Sequence, residues 1–239
     1  MYEEERSTLI KHSKVMPDQA CLNILNHFDF WSAVPVDSSA SYASIANHTD
    51  LPHEVVQRVL EHAVTLRLFE KVRGKPDHVS HTSRSAALAK SSGLRALVST
   101  VLDDAGPPMT VMNQALRKYS LGKPNLTTDM TQTAFALLHG GTGKKDDLSK
   151  GKYTTSWELI ENDGEGEQKG WRQRNFVEFM RYIKEIFQLE RVILNSYDWK
   201  AAGNAKVVDV STLSSRPSVV TLSNEYFRSV AQEATTASS

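Results

Sequence analysis

Five side chains in this sequence have the chemistry needed to bind a flat organic molecule. Four are aromatic and one is a thioether: Phe135, Trp157, Phe176, Phe179 and Met180. They lie on segments that could converge on one cavity, where aromatic rings would hold a flat apolar ligand by stacking and dispersion. The same side chains would also suit an ordinary hydrophobic core, so both interpretations stay open.

A second candidate for binding chemistry lies near the end of the sequence. Lys206 to Val210 contains three valines and predicts a buried strand. A buried strand followed by a loop and helix is how a dinucleotide-type fold begins. In such folds the loop is rich in glycine, because the ligand approaches the backbone more closely than a Cβ allows. The loop here, Ser211 to Ser215, contains no glycine.

Other candidate chemistries are not supported. His78 and His81 are three residues apart, but no acid or thiol completes a metal set at ligand spacing, so no metal site is predicted. The stretch Gly140 to Lys145 resembles a phosphate loop only in part. It lacks that loop's first glycine and its Ser or Thr, and it predicts an exposed loop.

Composition narrows the function classes further. The 239 residues have a formal net charge of zero, which argues against a dedicated nucleic-acid binder. Cys21 is the single cysteine, which excludes a disulfide within the chain. The first six residues are acidic, and no apolar run approaches membrane-spanning length, so we expect neither a signal peptide nor a membrane partner. The expected location is the cytoplasm.

The best-organised segment predicts a winged helix. A short helix over 41–47, a turn and an amphipathic helix over 54–66 precede two strands, 68–72 and 78–81, and Thr82 to Ser85 caps another helix. Between Ser38 and Arg84 there are six Lys or Arg against five Asp or Glu. Phosphate contacts dominate DNA affinity, so this charge balance argues against DNA binding.

The remaining elements are predicted to be helical. Pro17 divides the amino-terminal helical stretch into two. Helices over 93–102 and 110–119 are separated by Gly106-Pro107-Pro108. A short helix begins at Ser156. One long helix over 174–194 carries an apolar face of six side chains: Phe176, Phe179, Met180, Ile183, Ile186 and Phe187.

Three stretches carry a family resemblance. The first is the winged helix, with Tyr42-Ala-Ser-Ile-Ala46 and Val55-Val-Gln-Arg-Val-Leu60. The second contains Thr133 to Gly140, Trp157 to Asp163 and Asn175 to Met180. The third is Lys206 to Val210. Together they resemble the plant- and fungal-type S-adenosylmethionine-dependent O-methyltransferases, especially those of fungal secondary metabolism. The resemblance extends from about Ala20 to Phe227.

The resemblance implies a mainly α-helical fold. An amino-terminal dimerisation domain with the winged helix would cover residues 1–125, and a helical substrate-covering segment would cover 126–200. Residues 201–239 would be the incomplete start of a Rossmann-like α/β methyltransferase domain. In such enzymes the winged helix dimerises and, with the long helix, covers the methyl acceptor.

The resemblance also implies ligands and partners. Phe176 and Met180 fall where the family lines the acceptor pocket, with Phe135 and Trp157 as further candidates. The implied substrate is a small aromatic or polyketide-like molecule, the implied cofactor is S-adenosylmethionine, and the implied assembly is a homodimer or a heterodimer with a homologue.

The cofactor loop departs from the family pattern. The family's Asp-Val-Gly-Gly-x-x-Gly becomes a stretch in which Asp209 is retained while Ser211, Thr212 and Ser215 replace the glycines. The acid that holds the cofactor ribose and the histidine that acts as general base are missing, so no catalytic residue is assigned. We therefore expect no saturable binding of S-adenosylmethionine in calorimetry.

These observations predict an O-methyltransferase-family protein of a secondary-metabolite pathway that is truncated and catalytically impaired. Three alternatives stay open. The chain could be a methyltransferase-like pericyclase or cyclase, a non-catalytic partner that dimerises with a full-length homologue, or the product of a mis-spliced gene model whose true continuation has an intact loop.

Overall fold

The computed structural model describes residues 15–140, 153, 155–196, 198 and 201. Within them the protein is mostly helical, with one small three-stranded sheet. The chain divides into two compact units, Met1–Ile183 and Lys184–Ser239. The prediction of a mainly α-helical fold is confirmed at this level, and the predicted strand at Lys206 to Val210 lies outside the described residues.

The first two helices are α1, Val15–His27, and α2, Phe30–Ala33. Pro17 lies in the first turn of α1, where its missing N–H would have no intrahelical acceptor. The proline therefore fits the beginning of a helix. Whether another helix precedes it concerns residues outside the described range.

Two helices joined by a tight turn follow a short strand. Strand β1 is Ser39–Ser41, and α3, Tyr42–Thr49, begins where the Ser41 hydroxyl accepts a hydrogen bond from the Ser44 amide at 3.1 Å. Asp50 ends α3 in the left-handed conformation, with φ 56°. Helix α4, His53–Thr65, starts just after Pro52 and has the predicted amphipathic pattern.

An antiparallel sheet completes this part of the molecule. Strands β2, Phe69–Val72, and β3, Lys75–His81, form the predicted hairpin, and β1 pairs with the other side of β3 to give the order β1-β3-β2. Strand β1 was not predicted, because it is three residues long and mostly polar. Helix α5, Ser83–Lys90, follows with a capping box between Thr82 and Ser85. We call residues 15–90 the amino-terminal module.

The hydrophobic core lies inside this module. Ten of its side chains are the largest that are fully buried: Trp31, Phe30, Phe69, Leu25, Ile45, Leu60, Val34, Val56, Val79 and Ser85. The rings of Trp31 and Phe69 stack with centroids 5.7 Å apart. Burial of each large apolar side chain contributes roughly 1.5–3 kcal/mol to folding, so this core is the main source of stability in the described residues.

The next segment is a run of helices with an irregular centre. Helix α6 is Ser92–Ser99; a π-helix, Thr100–Ala105, follows directly; then come α7, Gly106–Thr110, and α8, Met112–Tyr119. The predicted break at Gly106-Pro107-Pro108 is wrong. Both prolines lie in the first turn of α7, where they are tolerated, and the π-helix keeps the backbone helical up to them.

The last described helices carry the predicted ligand-binding side chains. They are α9, Ala134–His139, α10, Ser156–Asn162, a 3₁₀ turn at Gly166–Gln168, α11, Trp171–Ile186, and α12, Leu189–Ser196. The single helix predicted over 174–194 is two helices, because the chain turns at Gln188, which has φ 47°. The predicted long helix also begins three residues earlier, at Trp171.

Candidate functional site

Helices α10 and α11 carry four of the five candidate side chains, and ring contacts join three of the four. The rings of Trp157 and Phe176 meet edge to face, with centroids 5.7 Å apart and planes at 87°. Phe179 contacts Phe176 at 6.0 Å, and Met180 lies one helical turn beyond Phe176. Trp157 is 37% exposed and Met180 is 44% exposed, so the cluster is open on one side. We call these four residues the aromatic cluster.

The fifth candidate side chain, Phe135, lies apart from these ring contacts. It is on α9 and packs against His139, one turn along the same helix, with ring centroids 4.5 Å apart. Within the described part of the chain no ring contact joins Phe135 to Trp157 or Phe176. Phe135 therefore contacts the His139 imidazole and makes no ring contact with the aromatic cluster.

A group of largely buried charges lies at the start of α11. The Arg172 Nε donates to Asp163 Oδ2 at 2.6 Å, and its Nη1 contacts Asp104 Oδ1 and donates to the Asp103 carbonyl at 3.4 Å. The Arg172 and Asp104 side chains are 14% and 15% exposed. The guanidinium also lies over the Trp171 ring, 4.4 Å from its centroid. We call Arg172, Asp104 and Asp163 the charged network.

The π-helix determines where these acidic groups point. Asp104 faces Arg172, while the Asp103 carboxylate accepts a hydrogen bond from Asn23 of α1 at 3.1 Å. Burial raises the pKa of Asp104, and the Arg172 guanidinium opposes that rise only in part. A π-helical turn of this kind often marks a functional site. Here Asp103 contacts α1 of the amino-terminal module, and Asp104 contacts Arg172 of α11.

His139 lies close to the charged network. Its backbone carbonyl accepts a hydrogen bond from the Tyr153 amide at 3.2 Å, and its side-chain Nε2 is buried. Burial lowers the pKa of His139, and the nearby Arg172 charge lowers it further, against a smaller opposing effect of Asp163. The imidazole is therefore neutral at neutral pH.

Helix α11 is anchored against α6. Asn175 Nδ2 donates to the Ala96 carbonyl at 3.2 Å and to Thr100 Oγ1 at 3.3 Å. Close approach of the helices requires the glycine at position 93, because a Cβ there would lie 2.6 Å from the Tyr182 Cβ. These contacts fix the position of the helix that carries Phe176.

The charged network and His139 were not predicted as site residues. Their side chains come from four separate segments, and no short-range spacing relates Asp104 to Arg172, 68 residues later. The one local indication was the adjacent pair Asp103-Asp104 at the end of an otherwise apolar helical stretch. His78 and His81, the two histidines three residues apart, have other partners. His81 Nδ1 lies 2.7 Å from Ser85 Oγ, and its Nε2 lies 2.9 Å from the Val34 carbonyl oxygen.

The described residues bear on the predictions about metal ions and membranes but do not include the cofactor loop. Among those residues, no group of three or more His, Cys, Asp or Glu could hold a metal ion, and no described helix is long and apolar enough to cross a membrane. The predicted cofactor-loop residues Asp209, Ser211, Thr212 and Ser215 lie outside the described range.

The chain has curated relatives among fungal O-methyltransferases. It is 43% identical over 197 residues to the O-methyltransferase lcsG of Purpureocillium lilacinum, a match that covers 82% of this chain and 41% of the relative. It is 26% identical over 211 residues to the O-methyltransferase VdtC of Byssochlamys spectabilis, covering 86% of this chain and 42% of the relative. The chain thus spans about two fifths of the length of these relatives, and no protein-family model matches it.

Solved structures with a similar fold include two that hold S-adenosylhomocysteine (SAH). OxaC in complex with SAH and oxaline matches with a TM-score of 0.56 and 16% identity, over 72% of this chain and 38% of that one. PigF with SAH matches with a TM-score of 0.56 and 13% identity, over 82% of this chain and 49% of that one. At these identities the likeness concerns the fold.

Proposed function

We propose that this chain, a homologue of the fungal O-methyltransferases, forms the acceptor-covering part of an O-methyltransferase-family protein in a secondary-metabolite pathway. The observation that carries this proposal is the edge-to-face contact of Trp157 with Phe176 on a surface that is open on one side. An aromatic wall of this kind can stack against a flat aromatic or polyketide-like acceptor.

Rigid support of the wall favours a binding role. Phe176 lies one turn after Arg172 on the same helix, and Arg172 is tied to α10 through Asp163 and to the π-helix through Asp104. Asn175 fixes the same turn against α6. Binding surfaces hold ligands best when their side chains are positioned in advance, because less conformational freedom is then lost on binding.

The amino-terminal module has the order of elements of a winged helix, and we propose that it dimerises. Its charges are balanced, so protein contact fits better than DNA contact. A homodimer and a heterodimer with a full-length homologue are both consistent with this role. Light scattering of the purified chain, alone and with such a homologue, distinguishes them.

S-adenosylmethionine is the cofactor of this family, and related folds have been solved with SAH bound. The residues that the resemblance assigns to it lie at 209–215, and no described side chain is assigned to it. Serine and threonine at the glycine positions add side chains where the cofactor would contact the backbone. We therefore propose impaired methyl transfer; calorimetry with S-adenosylmethionine should show no saturable heat, and micromolar binding would contradict this point.

The acceptor wall is tested by the binding of 2-naphthol, a flat two-ring phenol, to the purified chain in calorimetry. Phe176→Ala should weaken binding about tenfold, because the loss of one stacked ring removes roughly 1–1.5 kcal/mol of favourable contact. Phe28→Ala is the matched control, since Phe28 is 39% exposed and lies far along the chain, between α1 and α2. Equal affinities of the two variants would argue against the proposed wall.

The aromatic cluster also supports a second candidate, a methyltransferase-like pericyclase or cyclase. A pocket that folds a polyketide chain against aromatic rings needs no methyl donor, and the cluster lies entirely in the described helices. Incubation of the chain with an uncyclised polyketide intermediate tests this candidate. An unchanged reaction rate and product profile would argue against it.

A further inference from the structure

Helices α10 and α11 contact each other near their connection and again farther along. Near the connection, the Gly170 amide donates to the Asp163 carbonyl at 3.0 Å, and the Arg172 Nε donates to Asp163 Oδ2 at 2.6 Å. Farther along both helices, the rings of Trp157 and Phe176 meet edge to face. The position of one ring relative to the other therefore depends on how firmly the two helix ends are held together.

Arg172 also joins α11 to the π-helix and, through it, to the amino-terminal module. Its Nη1 contacts Asp104 Oδ1 and donates to the Asp103 carbonyl at 3.4 Å. The Asp103 carboxylate in turn accepts a hydrogen bond from Asn23 of α1 at 3.1 Å. One guanidinium thus connects the end of α10, the start of α11 and the π-helix, and the π-helix is itself held by the module.

The chemistry of arginine suits this position. A guanidinium presents five N–H donors in one plane and is not deprotonated in proteins, so it can bind two carboxylates at once and fix their relative direction. The Arg172 and Asp104 side chains are only 14% and 15% exposed, so water screens this pair weakly. The guanidinium also lies 4.4 Å from the centroid of the Trp171 ring, which limits its movement further.

We propose that Arg172 is a positioning residue for the aromatic wall: without touching the ligand, it holds Trp157 and Phe176 in the arrangement that a flat ligand contacts. This inference rests on the proposed acceptor-binding role. A wall held in this way loses less conformational freedom when a ligand binds. Loss of the guanidinium contacts should therefore weaken ligand binding even in a chain that is still fully folded.

The most direct test breaks the contact between the helix ends while leaving the buried cation paired. Asp163→Ala removes the carboxylate that binds Arg172 Nε, but Arg172 keeps its contact with Asp104, so the chain should still fold. Binding of 2-naphthol in calorimetry should weaken about threefold, because the ligand must then order the wall itself. Glu165→Ala, at an exposed acid two residues later, is the matched control and should leave the affinity unchanged.

A second comparison separates positioning from stability. Arg172→Met should weaken 2-naphthol binding about fivefold, whereas Arg181→Met, at an exposed ion pair on the same helix, should leave it unchanged. The double variant Arg172→Met/Asp104→Asn lacks the uncompensated buried charge and should regain much of the lost stability. It should not regain the affinity, since neither new side chain binds Asp163.

A spectroscopic measurement reports the arrangement of the rings in the absence of any ligand. In proton NMR, the nuclear Overhauser effect between the Trp157 and Phe176 rings should be clear in the unaltered chain and in Glu165→Ala. It should be weaker in Asp163→Ala, because the two helix ends are then held less firmly. A role of Arg172 in stability alone would leave this signal unchanged.

The possible results distinguish failure of this inference from failure of the proposed wall. If Asp163→Ala and Arg172→Met bind 2-naphthol as tightly as the unaltered chain, or if the double variant regains affinity together with stability, the inference about Arg172 is overturned while the wall stands. If the unaltered chain does not bind 2-naphthol, or Phe176→Ala binds it as tightly as Phe28→Ala, the wall fails and this inference fails with it.

Discussion

The amino-terminal module and the helices from α6 to α11 are stabilised in different ways. The module buries a continuous apolar core around Trp31 and Phe69, in which large side chains have no exposure to solvent. Among the residues that the structure describes between 92 and 183, the buried hydrophobic ones are Ala96, Ala115, Ala134, Ala136, Leu159 and Ile160, all small or on short helices. There the helices are joined by the charged network and by the Asn175 hydrogen bonds.

We propose that this difference separates a scaffold from a binding surface. A close-packed apolar core leaves no space for a ligand. Polar contacts between helices, by contrast, can hold aromatic side chains at an open surface. The aromatic cluster lies in the second region, where we propose that a ligand covers its exposed rings. The predictions below test this division.

The largest effect is expected in the module. Trp31→Ala should lower the free energy of unfolding by about 4 kcal/mol, because it removes a fully buried indole and leaves a cavity beside Phe69. Urea denaturation followed by circular dichroism measures it. Leu121→Ala, at a side chain that is 77% exposed, is the control and should cost less than about 0.5 kcal/mol. A similar loss of unfolding free energy in both variants would show that the core of the module is not the main source of stability.

Loss of the charged network should have the next largest effect. Arg172→Met should destabilise the protein by about 3 kcal/mol, because it leaves Asp104 buried without its cation. Arg181→Met, on the same helix at a surface ion pair with Glu178, should cost less than about 0.5 kcal/mol. The double variant Arg172→Met/Asp104→Asn should be more stable than Arg172→Met alone, since the uncompensated charge is gone. A double variant no more stable than the single one would contradict this account of the network.

The contact between α6 and α11 should show a smaller effect. Gly93→Ala should cost about 1 kcal/mol net, because the added methyl group would overlap the Tyr182 Cβ and more than cancel the gain in helix propensity. Ser92→Ala, the preceding residue, adds no atom at this contact and is the control for thermal denaturation. A stabilised Gly93→Ala variant would show that the two helices are not closely packed.

The smallest effect concerns pH. The folded-state pKa of His139 lies below its ordinary value of 6.5, so the unfolded chain binds more protons when the pH falls below that value. The stability contribution of this residue is thus present above about pH 6.5 and is lost as the pH falls through the folded-state pKa. Denaturation midpoints of the unaltered chain should fall more steeply on acidification than those of His139→Phe. Parallel pH profiles would contradict a buried, neutral imidazole.

The sequence predicted the module more completely than the binding surface, for a physical reason. Helices α3 and α4 and the β2-β3 hairpin follow from local apolar periodicity and turn residues, and all were predicted within a few residues. Of the predicted site residues, Trp157 and Phe176 are in ring contact, whereas Phe135 packs against His139. The predictions of a break at Gly106 and of one helix through Gln188 were wrong, because a π-helix and a single left-handed residue override the local pattern.

The charged network could not have been predicted in the same way. Its ion pairs join residues that are 9 and 68 positions apart in the sequence, and only the packing of α11 beside the π-helix brings them together. His139 stands at the end of an ordinary helical pattern, and its unpaired nitrogen is visible only in three dimensions.

Amide hydrogen exchange of the purified chain, with and without saturating 2-naphthol, tests the division most directly. The account predicts slower exchange with ligand in residues 134–139, 156–163 and 171–180, and unchanged exchange in α3, α4 and the sheet. Protection confined to the amino-terminal module, or no ligand-dependent protection in any segment, would contradict it.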